Sequence, residues 1–288
     1  MQSATAAIPI PPPAHEPHGG WRARLDLEFA ASHGRTKLVH RAHRGPLMVQ
    51  SPFYPEGPVC HLYVLHPPGG VVAGDSLGVT VRVRERAHAL LTTPAATKIY
   101  RSGGESACID QDLEVAPGAT LEWLPQDTLA FAGARARLRT RVRLRGAARF
   151  IGWEALCLGR PASGERFEHG AIRQDVELWK DDAPVLIERN ACEADADFMK
   201  SAWGLAGRCA LASLLLYPAE EHLLPAVRAL LDRLGGPMAA ATEVDGVLVC
   251  RILGDDMSRV RELLVAVWRV LRPKFLGLEP SVPRIWAT

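Results

Sequence analysis

ACIDQDLEVAPGATLEWLPQDTLAFAGARARLRTRVRLRGAARFIGWEALCL, residues 107–158, is the stretch on which the fold turns. In RARLRTRVRLR, residues 135–145, every second position is arginine. Arg135, Arg137, Arg139, Arg141, Arg143 and Arg145 therefore share one face of a strand, while Leu138, Val142 and Leu144 share the other. The pieces ACIDQDLEV, ATLEWLP and ARFIGWEALCL read as further strands, with APGAT and RGA as the turns between them. The same rhythm continues outward. Trp21, Ala23, Leu25, Leu27 and Phe29 alternate with Arg22, Arg24, Asp26 and Glu28, and CHLYVLH, GVTVRVRER, HALLTTP, AIRQDVELW and PVLIERN recur between PPGG, SGGE and KDDAP. With 22 prolines and 25 glycines as punctuation, the pattern predicts a large, mainly β body, whether sandwich, barrel or stacked β-helix.

Residues 1–20 are Pro-rich without periodicity and read as a disordered tail. The β-rich body follows over residues 21–207. From residue 208 the pattern changes: CALASLLLYP and GVLVCRIL read as strands, and AEEHLLPAVRALLDRLGG as a helix with acids in its first turn. In DDMSRVRELLVAVWRVLRP, Val260, Leu263, Leu264, Val267 and Leu271 recur at helical spacing, with Pro273 as the expected stop. Residues 208–288 thus form an α+β portion with about two helices, packed on the body. The terminal Ile285 and Trp286 are read either as an exposed anchor for a partner or as a core-packed strand.

Lys plus Arg number 34 against 32 Asp plus Glu, a balance that argues against a dedicated nucleic-acid binder. No secretory signal or membrane-length apolar run is present, so the chain reads as soluble and cytoplasmic. The six cysteines, Cys60, Cys108, Cys157, Cys192, Cys209 and Cys250, show no CxxC pair and read mostly as buried reduced thiols. The arginine stripe is read as a solvated face or, alternatively, as a surface for an acidic protein.

Nucleotide chemistry is missing. HPPGGVVAGDSL, residues 66–77, lacks both the GK[ST] ending of a phosphate loop and GxGxxG spacing, so its glycines read as a turn. Asp75 is a site candidate, because several backbone N–H groups could converge on it and hold it ionised. Lys98 in TTPAATKIYRSGG reads as an ion-paired or solvated residue, and Gln126 and Asp127 as part of a turn. Glu154 interrupts FIGWEALCL and Glu188 closes PVLIE. Each either points outward by strand alternation or needs a partner, because burying an unpaired carboxylate costs several kcal/mol. If Asp75, Glu154 and Glu188 instead face a shared wet interior, they form an anionic path for a cation. His61 and His66 would face opposite sides of a strand, which argues against a tight metal site there, and the remaining histidines read mostly as surface groups.

WRARLDLEF, GPLMVQSPFYPEGPVCHLYVLHPPGGVVAGD, TTPAATKIYRS, LEWLPQDTLAF, LCLGRPASGERFEHG and LRPKFLGLEPSVPRIWAT, in this order, resemble the urease accessory protein D family (UreD/UreH) from Trp21 to Thr288. The resemblance implies a mainly β stack of strands with helices toward the C-terminus, and a maturation factor rather than an enzyme. It implies partners too: accessory proteins F and G, with G the GTPase, and the urease apoprotein, to whose active site nickel is delivered. It also implies an internal water-filled passage for Ni²⁺, which is bound only in transit. By motif position Asp75, Thr97 and Glu188 match polar residues of that passage. Glu154 stands where an acidic residue follows Trp in the matching segment, Asp being the variant there. Oxygen ligands with retained waters would let the ion move on, whereas several His or Cys ligands would trap it. Two rival readings stand beside this one: a pure assembly scaffold without metal transit, and a β-helical hydrolase or lyase using Asp127, Lys98 and Glu188, which requires those groups to converge in one groove.

Overall fold

The computed structural model describes residues 20–194, 196–236 and 238–287. The segment read as a disordered tail lies outside them except for Gly20.

From Arg22 to Lys180 the chain passes back and forth between two sheets. Parallel strands Arg22–Ser32, Ser76–Val83, Ala107–Val115, Arg135–Leu144 and Ala171–Lys180 form the first. Parallel strands Cys60–Leu65, His88–Thr92, Thr120–Trp123 and Arg149–Leu158 form the second. Each coil lays one strand on each sheet above the strand of the coil before, so the body is a solenoid of stacked coils, a β-helix-like stack. Leu25, Leu27, Phe29, Val81, Leu113 and Leu144 of the first sheet meet Leu62, Leu91, Leu121 and Leu156 of the second in the core between them.

The two sheets read differently in sequence because their outer faces differ. The first sheet turns its outer face to water, and its strands alternate. There the arginine stripe is neutralised by the protein's own acids. Arg139, Arg141 and Arg143 stand in register with Asp110, Asp112 and Glu114, and the pairs include Arg139–Asp110 at 2.9 Å, Arg141–Glu177 at 2.8 Å and Arg143–Glu114 at 3.4 Å. The second sheet is covered on its outer face by helices, so CHLYVL and much of RFIGWEALCL are buried on both sides.

Antiparallel strands close the stack. Arg35–Arg44 pairs with Arg22–Ser32, and Ala183–Glu193 with Ala171–Lys180. Met48–Val49 edges the second sheet at one side. At the other side Ala210–Tyr217, Val247–Gly254 and Met238–Val244 extend that same sheet beyond Arg149–Leu158.

Among the described residues there are three α-helices: α1 (Asp197–Lys200), α2 (Leu223–Leu234) and α3 (Met257–Leu276). Two helix boundaries differ from the sequence reading. Helix α2 starts after Glu220 and Glu221, so no acid lies in its first turn; Pro225 sits there instead, where a missing N–H costs nothing. Helix α3 runs through Pro273 to Leu276 and ends at Gly277, whose φ of +67° suits the glycine.

A buried charge centre holds α3 in place at that point. Arg272 is 0% exposed and donates to Glu122 at 2.9 Å and to Glu56 at 2.6 Å. Trp268 Nε1 donates to Glu122 as well, at 3.0 Å. His61 contacts Glu56 at 2.5 Å and His88 contacts Glu122 at 2.8 Å. His88, read with the remaining histidines as a surface group, is thus part of this centre. The last described residues, Arg284–Ala287, form not a strand but a short 3₁₀ turn, with the Trp286 ring packed 5.5 Å from that of Trp153 and 5.8 Å from that of Trp268 and its Nε1 donating to Thr92.

A polar cavity between the sheets

A short third ladder runs along one side of the solenoid. Thr97–Ile99 pairs in parallel with Thr128–Ala130, which pairs with Leu156–Leu158. Val71 joins its outer end, donating to Lys98 O at 2.7 Å and accepting from Tyr100 N at 2.9 Å. The segments HPPGGVVAGD, TTPAATKIYRS, LEWLPQDTLAF and LCLGRP are therefore successive rungs of one wall. Close approach fixes part of their composition: a Cβ on Gly70 would lie 2.2 Å from the Tyr100 ring.

Behind this wall, between the sheets, lies a cavity of about 190 Å³. Thr97, Lys98 and Thr128 reach it from the third ladder, Gln111 from the first sheet, Trp123 and Glu154 from the second, and His66 and Gln126 from loops. Its volume admits several waters. His66 Nε2 is buried at its wall without a hydrogen-bond partner in the protein. Burial holds the His66 imidazole below its usual pKa, against the pull of Asp75, which favours the neutral ring with a free lone pair.

Glu154 has no cation beside it. Burial pushes its carboxyl up to about 7, only partly offset by the Thr140 hydroxyl that donates to Oε1 at 2.6 Å. It also faces a second void of about 10 Å³, shared with Thr140 and Ser213. That volume is at the threshold for one water. Beyond it Ser213 donates to Glu188 at 3.0 Å; Arg251 approaches the same oxygen at 3.3 Å, while Glu188 Oε2 is buried with no partner.

The structure thus brings Thr97 and Glu154 to one cavity, whereas Glu188 lines neither void and meets the narrow one only through its hydrogen bond from Ser213. Asp75 does not line the cavity but acts on His66 from the turn after Gly74, where it accepts from Trp21 N at 2.7 Å and Val72 N at 2.9 Å and ties the first strand to the turn. Lys98 lines the cavity, but Asp127 is held by Arg261 at 2.8 Å near α3 and Glu188 by Ser213 and Arg251, so these three share no groove. Among the described residues no three His, Cys, Asp or Glu side chains converge to hold a metal ion. Nor is any helix of the described residues long and apolar enough to cross a membrane. The contribution of His66 escaped the sequence reading because strand alternation was extended to a residue lying just past its strand.

Comparison with known proteins bears on this geometry. A family model described as UreD urease accessory protein matches residues 21–287. The urease accessory protein UreD of Alkalilimnicola ehrlichii is 44% identical over 286 residues, covering 99% of this chain and 95% of the relative. Those of Klebsiella pneumoniae and Pseudomonas putida are 46% and 47% identical, each covering 93% of this chain and 96% and 95% of the respective relative.

Proposed function

Because the chain belongs to the UreD urease accessory protein family, whose role is in urease maturation, we propose that it passes Ni²⁺ through its solenoid to the urease apoprotein while bridging that apoprotein to accessory proteins F and G in the cytoplasm. The role is that of an accessory factor rather than an enzyme, with GTP hydrolysis assigned to G. One observation carries the proposal: a polar cavity lined by Glu154, which also lines a second, narrow void whose Ser213 hydrogen-bonds Glu188.

Thr97 and Glu154 offer oxygens and His66 one nitrogen, few enough protein ligands for the ion to keep several waters. Weak coordination favours onward movement. The narrow void is where waters must be shed or side chains must shift, so Glu154 and Glu188 on either side of it would compensate lost hydration. Asp75 keeps the wall closed by holding the turn to the first strand.

The test is the pair Glu154→Gln and Glu188→Gln, which preserves shape and hydrogen bonding but removes both carboxylates. The complex with F, G and urease is expected to assemble normally while nickel loading of urease, read by metal content and activity, falls on the order of tenfold or more, since each charge–dipole exchange is worth a few kcal/mol in a low-dielectric interior. Unchanged loading would leave the pure scaffold as the reading.

A further inference from the structure

Cys157 and Cys209 lie on neighbouring segments of the second sheet, where Cys209 opens onto a surface cavity. Cys157 lies in the Arg149–Leu158 strand in register with Ala210, and Leu158 N donates to Cys209 O at 2.7 Å. The two cysteines are therefore offset by one residue across adjacent antiparallel chains, which sets their Cα atoms about 6 Å apart. A disulfide requires about 4.4–6.8 Å. Cys209 precedes the first residue of its strand, Ala210, so pleat alternation does not hold it on the far face. Its Sγ donates to Asp255 O at 3.4 Å, beside the start of α3, and Cys157 packs in the apolar layer beneath that helix.

The two thiols differ in access. Cys157 is buried, whereas Cys209 is half-exposed and lines a cavity of about 860 Å³ with Arg166, Lys200 and Arg208. They also differ in acidity. The neighbouring Cys157 thiol lowers the Cys209 pKa against burial and the nearby Asp255 and Asp256, and the same proximity raises that of Cys157. Asp255 itself is engaged by Arg208 at 2.7 Å. A solvent-reached, more acidic thiol backed by a buried one is the arrangement of an attacking and a resolving cysteine.

We infer that Cys157 and Cys209 form a reversible disulfide when the protein meets a hydroperoxide. The Cys209 thiolate attacks the peroxide O–O bond; a sulfur–oxygen bond forms and hydroxide leaves, giving the sulfenic acid. Cys157 sulfur then attacks that sulfur, the S–S bond forms, the S–O bond breaks, and the Cys157 proton leaves with the departing hydroxide as water. Two thiols lose two electrons in all and the peroxide gains them. An external dithiol returns the pair to thiols through a mixed disulfide. The link would join the two neighbouring strands of the second sheet beside α3.

The test uses the purified full chain, reduced, treated with hydrogen peroxide, quenched with an alkylating agent and digested. The expected product is one peptide linking Cys157 to Cys209, lighter by about 2 Da than the summed thiol peptides and restored by dithiothreitol. Cys209→Ser abolishes the link, and Cys157→Ala leaves a Cys209 sulfenic acid that a cyclic dione traps. Recovery of both residues as free thiols in the oxidised wild type, or Cys209 oxidised without a bond to Cys157, overturns the inference. So does a link that appears only when the chain is first unfolded in urea.

Discussion

Two glutamates of the second sheet, Glu122, wholly buried, and Glu154, largely so, sit at opposite ends of the carboxylate range. Burial pushes each up. At Glu122 the hydrogen bond and charge of His88, joined by Arg272, more than reverse that push and bring the carboxyl to about 2. At Glu154 only hydroxyl and indole groups answer it, and the carboxyl rises to about 7. The first glutamate is a fastener between sheet and helix. The second is an unmatched acid facing void space. Burial alone does not mark a carboxylate as functional; the absence of a cation beside it does.

The sharpest way to break this contrast is Arg272→Met, which fills the space but leaves Glu122 and Glu56 without their guanidinium. We expect a loss of roughly 3–5 kcal/mol in denaturant unfolding of the full chain, because a buried charge stripped of its partner is left uncompensated. A loss below about 1 kcal/mol would show that Glu122 is neutral in the folded protein, and the contrast would disappear.

The pH dependence of stability divides the two residues next. The folded-state pKa of Glu154 is raised, so its contribution is fully present below the unfolded value near 4.5 and is lost as pH rises through about 7. Between pH 5 and 8 this removes roughly 2–3 kcal/mol, and Glu154→Gln abolishes the slope. Glu122 behaves in the reverse sense: its folded pKa is depressed, so its contribution is present above about 4.5 and is lost as pH falls toward 2. Unfolding midpoints across pH, compared for wild type and the Gln variant, check both limbs. A wild-type slope retained in Glu154→Gln would assign the alkaline limb to another group.

The smallest effect belongs to the outer face of the first sheet. Arg143 has Glu114 at 3.4 Å and Asp112 at 3.6 Å, all partly open to water. Arg143→Ala should cost no more than about 1 kcal/mol, diminishing further in high salt. A much larger cost would mean that the ladder of charges acts as a network rather than as separate exposed pairs.

Much of this was legible in the residues, and the parts that were not have physical reasons. The strands of the first sheet announced themselves because water on one side enforces alternation, as in RARLRTRVRLR. The third ladder did not, because its strands Thr97–Ile99 and Thr128–Ala130 are three residues each, too short for any period to register. Glu154 and Thr97 were visible as a polar residue in an apolar run and as a motif position. Their meeting in one cavity depends on the stacking of coils, which no local pattern encodes. The Arg272 centre was hidden altogether, since Glu56 and His61, His88, Glu122 and Arg272 come from four separate segments. It also explains why Pro273 fails to stop α3: the residue before it is anchored on both sides by carboxylates, which holds the last turn helical.

The reversed strands at the rims of the stack carry a last implication. Every strand from coil to coil of the first sheet runs the same way, but Arg35–Arg44 and Ala183–Glu193, at its two borders, run against their neighbours. A second molecule approaching end to end would meet a template of the wrong polarity, studded at one border with Lys37, Arg41 and Arg44 and interrupted at the other by Pro184. An architecture that invites endless fibre growth is thereby given a finite length, and its two terminators can be recognised by direction alone.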